Sequence, residues 1–264
     1  HWVGYKGNLS KSGDRATDIV SPETLVAIGD SVFVTLRKNS GVSVLDASTG
    51  QTIKNLSNTS GTEKILYNRG ILVLHRRPGK REAIDKIQAV DASTDKILWE
   101  IEENKVLSGA IASKKNTVYY HNSDEIVAVN LTTGKKIWNS QLNNSADLQW
   151  GNSGKLVVSN QAVFFQNTRH LIALSASNGK LLWEGPGSQT STPPLFVTQG
   201  LVWPGRPEYL NRKVRTDIPL DVSKAPYDHI WRAGGGSTYW APRIRNTLVS
   251  KKGYDPLSGE LKRN

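Results

Sequence analysis

The residues that could carry catalytic or metal chemistry are few and are not grouped as such sites require. The chain has no cysteine, which excludes disulfides, thiolate catalysis and cysteine-bound metals. No serine stands in a G-x-S-x-G context, and the glycine-rich segment 234–237 lacks the Lys-Ser/Thr pair of a phosphate-binding loop. The histidines are neither spaced i, i+4 nor placed beside a run of carboxylates; they are His1, His75, His121, His170 and His229. The sequence therefore predicts no catalytic residue and no metal site.

One segment instead concentrates side chains that are suited to binding. Residues 204–245 are rich in tyrosine, tryptophan and arginine, the residue types that are enriched at interaction hot spots. The binding residues that we predict are Arg206, Tyr239, Trp240, Arg243 and Arg245. The alternative interpretation is a long loop whose aromatic side chains only pack on the scaffold.

The net charge of +11 and the pI of about 9.7 favour an acidic partner. The basic residues are dispersed, however, and the densest groups, at 76–81 and 212–215, lie in polar segments typical of solvated loops. Nucleic acid is not favoured, because no stacking aromatic is interleaved with these charges. A protein partner or an anionic ligand remains. No stretch approaches the roughly 18 apolar residues of a transmembrane helix.

A repeated turn motif indicates the elements that must position these residues. An apolar run ends at Asp, Asn or Ser, a small polar turn follows, and the fifth position is usually glycine, which readily takes positive φ. The copies lie at 44–50, 89–95, 128–134 and 173–179, with a fifth at 253–259. The first four recur every 39 to 45 residues, the period of propeller blades.

Each repeat predicts four short strands. Two β-rich runs precede every turn, one run ends at it, and one follows it. Because a single four-stranded sheet cannot bury both faces, such units must stack, and radial stacking gives a β-propeller. Tryptophan recurs eight residues after the turn residue, where it can dock on a neighbouring blade's turn. The predicted docking residues are Trp99, Trp138 and Trp183, with the turn glycines Gly50, Gly134 and Gly179. Ligand stacking is the alternative role for the tryptophans.

The segment 89–99, Ala-Val-Asp-Ala-Ser-Thr-Asp-Lys-Ile-Leu-Trp, resembles the pyrrolo-quinoline quinone (PQQ) repeat, A-x-D-x-x-T-G-x-x-x-W. The resemblance implies an all-β propeller of four-stranded antiparallel blades. We expect one domain over 1–264, with clear blades at about 25–185, a degenerate blade with an insertion at 190–233, and a partial blade at 234–264. Since propellers of this family close with seven or eight blades, the five to six expected here predict an incomplete propeller.

In catalytic quinoproteins, the resemblance would imply a calcium-bound PQQ, a catalytic aspartate and a vicinal cysteine pair. The cysteine pair is impossible here, and no segment aligns with the catalytic or calcium-binding motifs. We therefore expect neither PQQ nor calcium, and a non-catalytic binding and assembly scaffold, as a module of a larger bacterial protein in the periplasm or outside the cell. The alternative is part of a quinoprotein dehydrogenase, or of a multidomain enzyme whose catalytic residues lie outside this segment.

Overall fold

The fold is described by a computed structural model that covers most of the repeat region. It describes residues 24–37, 39–78, 84–122, 124–142, 154–167, 170–186, 195–198, 200–204, 231–232, 239–240 and 253–263. The chain divides into two compact units, His1–Ala146 and Asp147–Asn264. The sequence-based expectation of one domain over 1–264 stays a prediction.

The first unit contains three four-stranded antiparallel sheets, named blades 1 to 3, in which sequential strands pair. Blade 1 consists of β1 (Leu25–Ile28), β2 (Ser31–Thr35), β3 (Val42–Asp46) and β4 (Thr52–Asn55). Blade 2 consists of β5 (Thr62–Asn68), β6 (Ile71–Arg76), β7 (Asp85–Asp91) and β8 (Ile97–Glu103). Blade 3 consists of β9 (Val106–Lys114), β10 (Thr117–Asn122), β11 (Glu125–Asn130) and β12 (Lys136–Gln141).

The second unit contains blades 4 and 5 and a two-stranded pair. Blade 4 consists of β13 (Lys155–Val158), β14 (Ala162–Gln166), β15 (His170–Ser175) and β16 (Leu181–Pro186). Further strands are β17 (Leu195–Thr198), β18 (Leu201–Pro204), β19 (Trp231–Arg232), β20 (Tyr239–Trp240), β21 (Gly253–Tyr254) and β22 (Leu261–Arg263). β17, β18, β21 and β22 form blade 5 in that order, and β19 pairs only with β20. The all-β prediction of four-stranded antiparallel blades is confirmed.

The second and third strands of each blade carry the apolar runs that form the cores. Leu72 and Leu74 of β6 pack with Phe33 of blade 1, whereas Val73, on the opposite face of β6, packs with Tyr120 of blade 3. Alternate residues of a strand point to opposite faces, so a strand between two blades is apolar at every position. In the second unit, Phe164 and Val202 share a core between blades 4 and 5.

The outer strand of every blade contains a β-bulge at the same place. The ladder between the third and fourth strands skips one residue; the skipped residues are Ile53, Leu98, Ile137, Leu182 and Lys262. In blades 2, 3 and 4 the skipped residue directly precedes the repeat tryptophan. Because a bulge bends and twists a strand, it re-aims the following side chain and makes the outer edge a poor template for pairing.

Each blade has two distinct ends. In blades 1 to 4 the turn between the third and fourth strands donates a backbone hydrogen bond to the turn between the first and second strands, as in the 2.9 Å bonds from Ala92 N to Gly70 O and from Leu131 N to Asn116 O. We call this the turn end. The opposite, loop end carries the connections from the second to the third strand and from one blade to the next.

The long connection of blade 5 leaves from the loop end. Residues 205–252 join the second strand of the blade, β18, to its third strand, β21, and contain β19 and β20. The sequence pattern divides residues 190–264 between a degenerate blade and a partial one, whereas the structure places strands of both segments in one sheet. The reason is that the third strand of this sheet, β21, follows β18 only after the connection 205–252. Tyr254 of β21 pairs with Val202 of β18.

Candidate functional site

The repeat tryptophan of blade 2 docks on the turn of blade 3. Trp99 is 8 % exposed, and its Nε1 donates a 2.8 Å hydrogen bond to the carbonyl oxygen of Leu131. Gly134 has a φ of +68°, and a Cβ built there would lie 2.8 Å from Cγ and Cδ2 of Trp99. Only glycine therefore suits this turn, both for its φ and for the close approach of the indole.

The second unit repeats this joint. Nε1 of Trp183 donates a 3.1 Å bond to the carbonyl oxygen of Pro256, and a Cβ on Gly259 would lie 2.7 Å from Cδ2 of Trp183. Gly259 was not among the predicted docking residues, although the fifth copy of the turn motif contains it. Trp138 is buried, with its ring centroid 5.8 Å from that of Tyr119. The remaining predicted turn glycines, Gly50 and Gly179, have φ values of +72° and +71°.

An ion pair replaces this joint between blades 1 and 2. Lys54 stands eight residues after its turn residue, where blades 2, 3 and 4 have tryptophan, and Asp95 stands where the turns of the other four blades have glycine. Lys54 Nζ lies 2.7 Å from Asp95 Oδ2, and Asp95 takes the same left-handed conformation, with a φ of +64°. The two departures from the repeat consensus are thus partners, and both can be read in the sequence.

A buried ionic cluster lies at the loop end of blade 2. Arg77 donates from Nε and Nη2 to the two carboxylate oxygens of Asp85, at 2.7 and 2.8 Å. The same carboxylate accepts from the backbone N–H of Val106, the first residue of blade 3, at 2.7 Å, and Oδ2 lies 3.4 Å from Nε2 of His75. Glu63 pairs with Arg77 at 3.0 Å. The cluster therefore ties the loop after β6 to the next blade.

The electrostatics of this cluster are compensated internally. Burial alone would raise the pKa of Asp85, but the close approach of His75 and the hydrogen bonds from Arg77 and the Val106 amide outweigh burial and lower the pKa to about 2. The neighbouring Arg76 is 7 % exposed and pairs with Glu100 at 2.9 Å. The first two arginines of the basic segment 76–81 are therefore held by carboxylates of the same chain and are poorly placed to recruit an anionic ligand.

The fifth residue of the second strand is a buried polar residue in four blades. The residues at this position are Thr35, His75, His121 and Gln166, all 3 % exposed or less. Burial lowers the pKa of His121 to about 4, so its imidazole is neutral at pH 7. None of these side chains reaches solvent, and a substrate would have no access to them.

The predicted binding residues lie mainly outside the described residues. Arg206, Arg243 and Arg245 fall in segments that the structure does not describe, and Tyr239 and Trp240 form β20. Trp231 pairs with Trp240, and Arg232 with Tyr239, across the β19–β20 pair. This pair belongs to the connection at the loop end of blade 5. The binding role of these residues stays a prediction.

Metal-ligating side chains are not grouped within the described part of the chain. Among them, no three His, Asp or Glu side chains come together as a metal site requires. The carboxylates of the ionic cluster, Asp85 and Glu63, are paired with Arg77. The expectation of neither PQQ nor calcium stays a prediction.

Comparison with protein families identifies the repeat. Residues 83–203 match a family model described as outer membrane protein assembly factor BamB. A search of the curated proteins finds no significant match. Among the described residues, no helix has the length and apolarity needed to cross a bilayer.

Solved structures share the fold at low identity. BamB from Moraxella catarrhalis is 19 % identical, with a TM-score of 0.51, over 69 % of this chain and 54 % of that one. The quinohemoprotein alcohol dehydrogenase from Comamonas testosteroni is 13 % identical, with a TM-score of 0.57, over 90 % of this chain and 52 % of that one. The computationally designed protein Ika8 has a TM-score of 0.55 at 19 % identity. The chain spans about half the length of the first two structures.

Blades, bulges and docking tryptophans together define a β-propeller repeat protein. Its repeats over residues 83–203 are similar to the PQQ-like repeats of the BamB-type family model, as the resemblance at 89–99 predicts, and the solved structures share the propeller fold.

Proposed function

We propose that this chain is a non-catalytic PQQ-like propeller that serves as a binding and assembly scaffold. The observation that carries the proposal is the connection 205–252, which leaves the loop end of a sheet that is anchored on its neighbour by Trp183. This connection contains ten basic and four acidic residues, so it holds six of the eleven net charges of the chain. A rigid sheet that presents a basic, aromatic-rich insertion suits an acidic protein partner or an anionic ligand.

The ionic cluster of blade 2 supports this choice of site. Because Arg76 and Arg77 are engaged by Glu100 and Asp85, the other dense basic segment offers less free charge. The matching family model is described as an assembly factor of outer membrane proteins, a role that suits a scaffold. We extend this role to a module of a larger bacterial protein in the periplasm or outside the cell.

A fluorescent poly-glutamate peptide tests the site. We expect binding that weakens with rising salt, since exposed charges are screened within about 10 Å at 0.1 M. Replacing Trp240, Arg243 and Arg245 together by alanine should weaken binding at least about tenfold, the loss of roughly 1.4 kcal/mol. The control, Lys80→Ala with Arg81→Ala, should leave it within about twofold. Loss of binding in the control alone would place the interaction on the 76–81 segment instead.

The enzyme alternative has its own test. The fold likeness to the quinohemoprotein alcohol dehydrogenase extends over 90 % of this chain. Purified protein incubated with PQQ and calcium should show no dye-linked alcohol oxidation above a heat-killed control. Measurable turnover would refute the non-catalytic proposal.

A further inference from the structure

The structure collects basic residues that are scattered in the sequence. Six of them lie at the turn end of blades 2 and 3, within the first unit, although they span positions 69 to 136. They are Arg69, Lys96, Lys114, Lys115, Lys135 and Lys136. We call this set the basic turn end.

Backbone pairing brings the lysines of blade 3 to one edge of its sheet. Lys114 pairs with Thr117 on the last rung of β9 and β10, and Thr117 pairs in turn with Asn130 of β11. Asn130 N donates a 2.8 Å bond to the carbonyl of Lys135, so Lys135 continues the same rung. Lys115 occupies the turn that follows Lys114, and all four lysines of this blade end therefore share one edge.

A side-chain bond adds blade 2 to this edge. Asn68 Nδ2 donates to the carbonyl oxygen of Lys115 at 2.8 Å and to Oγ of Ser113 at 2.7 Å. Arg69 directly follows Asn68, and Lys96 accepts on its carbonyl a 2.9 Å bond from Asp91 N in the same end of blade 2. The two blade ends thus form one continuous basic surface.

These charges are not neutralised within the described part of the chain. Among the described carboxylates, one lies within 4.0 Å of these cations: that of Glu125, beside Lys136. Asp91 also lies at this end and stays ionised, with its carboxylate accepting from Ser93 and Thr94 of its own turn, while Asp95 is paired with Lys54; the six cations therefore outnumber the acidic groups. The turn end of blade 1 carries Asp30 and Asp46 and no Lys or Arg, so the positive surface is confined to blades 2 and 3.

Aliphatic side chains are exposed beside these lysines. Ile97 and Leu98 follow Lys96 and are 37 % and 36 % exposed, and Ile137 follows Lys136 and is 49 % exposed. An anionic bilayer can satisfy both features, because phosphate headgroups attract the lysines while the aliphatic groups enter the headgroup boundary. A nucleic-acid duplex would leave the aliphatic groups without a partner. Five of the six cations are lysines, which act as point charges without the planar recognition of arginine.

We propose that the basic turn end docks the protein on an anionic lipid surface. This surface shares no residue with connection 205–252, so the proposal does not depend on the proposed function. Each basic residue held near an anionic bilayer strengthens binding by about fivefold. Several cations acting together give a reversible, salt-sensitive attachment.

Vesicle co-sedimentation tests the proposal. Vesicles of phosphatidylcholine with about 30 % phosphatidylglycerol should bind the protein at low salt, and pure phosphatidylcholine vesicles should not. Lys115→Glu with Lys135→Glu should reduce this binding at least about tenfold. The matched control is Arg37→Glu with Lys105→Glu, which makes the same change in net charge on exposed residues of the loop end and should alter binding less than about threefold. Ile137→Ser should reduce the binding that survives at high salt.

Three outcomes would overturn the proposal, provided that thermal melting shows both double variants to be folded. The first is vesicle binding that Lys115→Glu with Lys135→Glu leaves unchanged, and the second is an equal loss in the loop-end control. The third is a DNA duplex that binds the basic turn end and displaces it from the vesicles, which would assign the surface to nucleic acid. If the glutamate variant is unfolded, Lys115→Gln with Lys135→Gln replaces it and should still lose several-fold in binding.

Discussion

The indole nitrogen of Trp99 and the carbonyl oxygen of Leu131, 32 residues later, form a 2.8 Å hydrogen bond from one blade to the next. The bond satisfies the polar atom of a buried ring and fixes the ring over the turn that ends at Gly134. Trp183 and Pro256 repeat the relationship in the second unit. Neighbouring blades within each unit are therefore joined by a specific joint as well as by apolar packing.

Gly134→Ala should destabilise the first unit by more than the cost of placing an alanine at a positive φ. A methyl group there would lie 2.8 Å from the ring of Trp99, and such overpacking costs about 1–3 kcal/mol. The matched control is Gly70→Ala, since Gly70 also has a positive φ, +84°, but has no atom within 4 Å of its Cβ position. That control should cost only about 1–2 kcal/mol. Urea denaturation of both variants measures the difference, and equal midpoints would show that the ring yields freely.

The sequence predicts the blades because their signals are local and periodic. The turn motif and the tryptophan eight residues later recur in register, and both follow from chemistry within a single repeat. Blade 5 is harder to read because 48 residues separate β18 from β21. The ionic cluster at Asp85 and the basic turn end could not be read at all, because neighbours in these sets come from different strands and adjacent blades.

Lys54→Trp combined with Asp95→Gly should convert the ionic joint of blades 1 and 2 into the tryptophan joint. The present pair is about one-third exposed on each side, and such pairs contribute only about 0–1 kcal/mol. A docked indole buries far more apolar surface, so the double variant should be more stable than the parent. Its stability should also lose the salt dependence that comes from the pair.

The single variants complete this cycle. Lys54→Trp alone should gain little, because the ring would meet the Cβ of Asp95 as it would meet a methyl group on Gly134. Asp95→Gly alone should be close to neutral, since it removes the pair but relieves a φ of +64°. Thermal melting of the parent, the single variants and the double variant at low and high salt gives the coupling energy between positions 54 and 95. If the stability changes of the two single variants simply add up to that of the double variant, the ionic joint has not been exchanged for a tryptophan joint.

Asp85→Ala should be among the most destabilising changes on the loop end of blade 2. It would leave the buried N–H of Val106 without its acceptor and remove two bonds from the guanidinium of Arg77, which is 31 % exposed and keeps Glu63, so it should cost about 1–3 kcal/mol. Glu63→Gln is the matched control, because Glu63 contacts the same arginine but is 38 % exposed on its side chain, and it should cost less than about 1 kcal/mol. Chemical denaturation compares the two, and a small effect of Asp85→Ala would mean that Glu63 compensates.

His121 should make the stability of the first unit depend on pH between about 6.5 and 4. Burial lowers its pKa from 6.5 to about 4, so between these values the unfolded chain binds a proton that the folded chain rejects. The contribution is complete above pH 6.5 and is lost as the pH falls to 4, by about 3 kcal/mol. His121→Gln should flatten this part of the profile.

Glutamine is the natural choice because Gln166 occupies the same strand position in blade 4, where it is fully buried. His170→Gln is the control, since the imidazole of His170 is only partly buried, in a surface pair with Glu184, and its replacement should leave most of the pH dependence in place. The free energy of unfolding, measured by urea titration at half-unit steps from about pH 4 to 7.5, gives both profiles. If His121→Gln and the parent protein give the same pH profile, a different group accounts for the acid sensitivity. The pKa of His121 is then not lowered by folding.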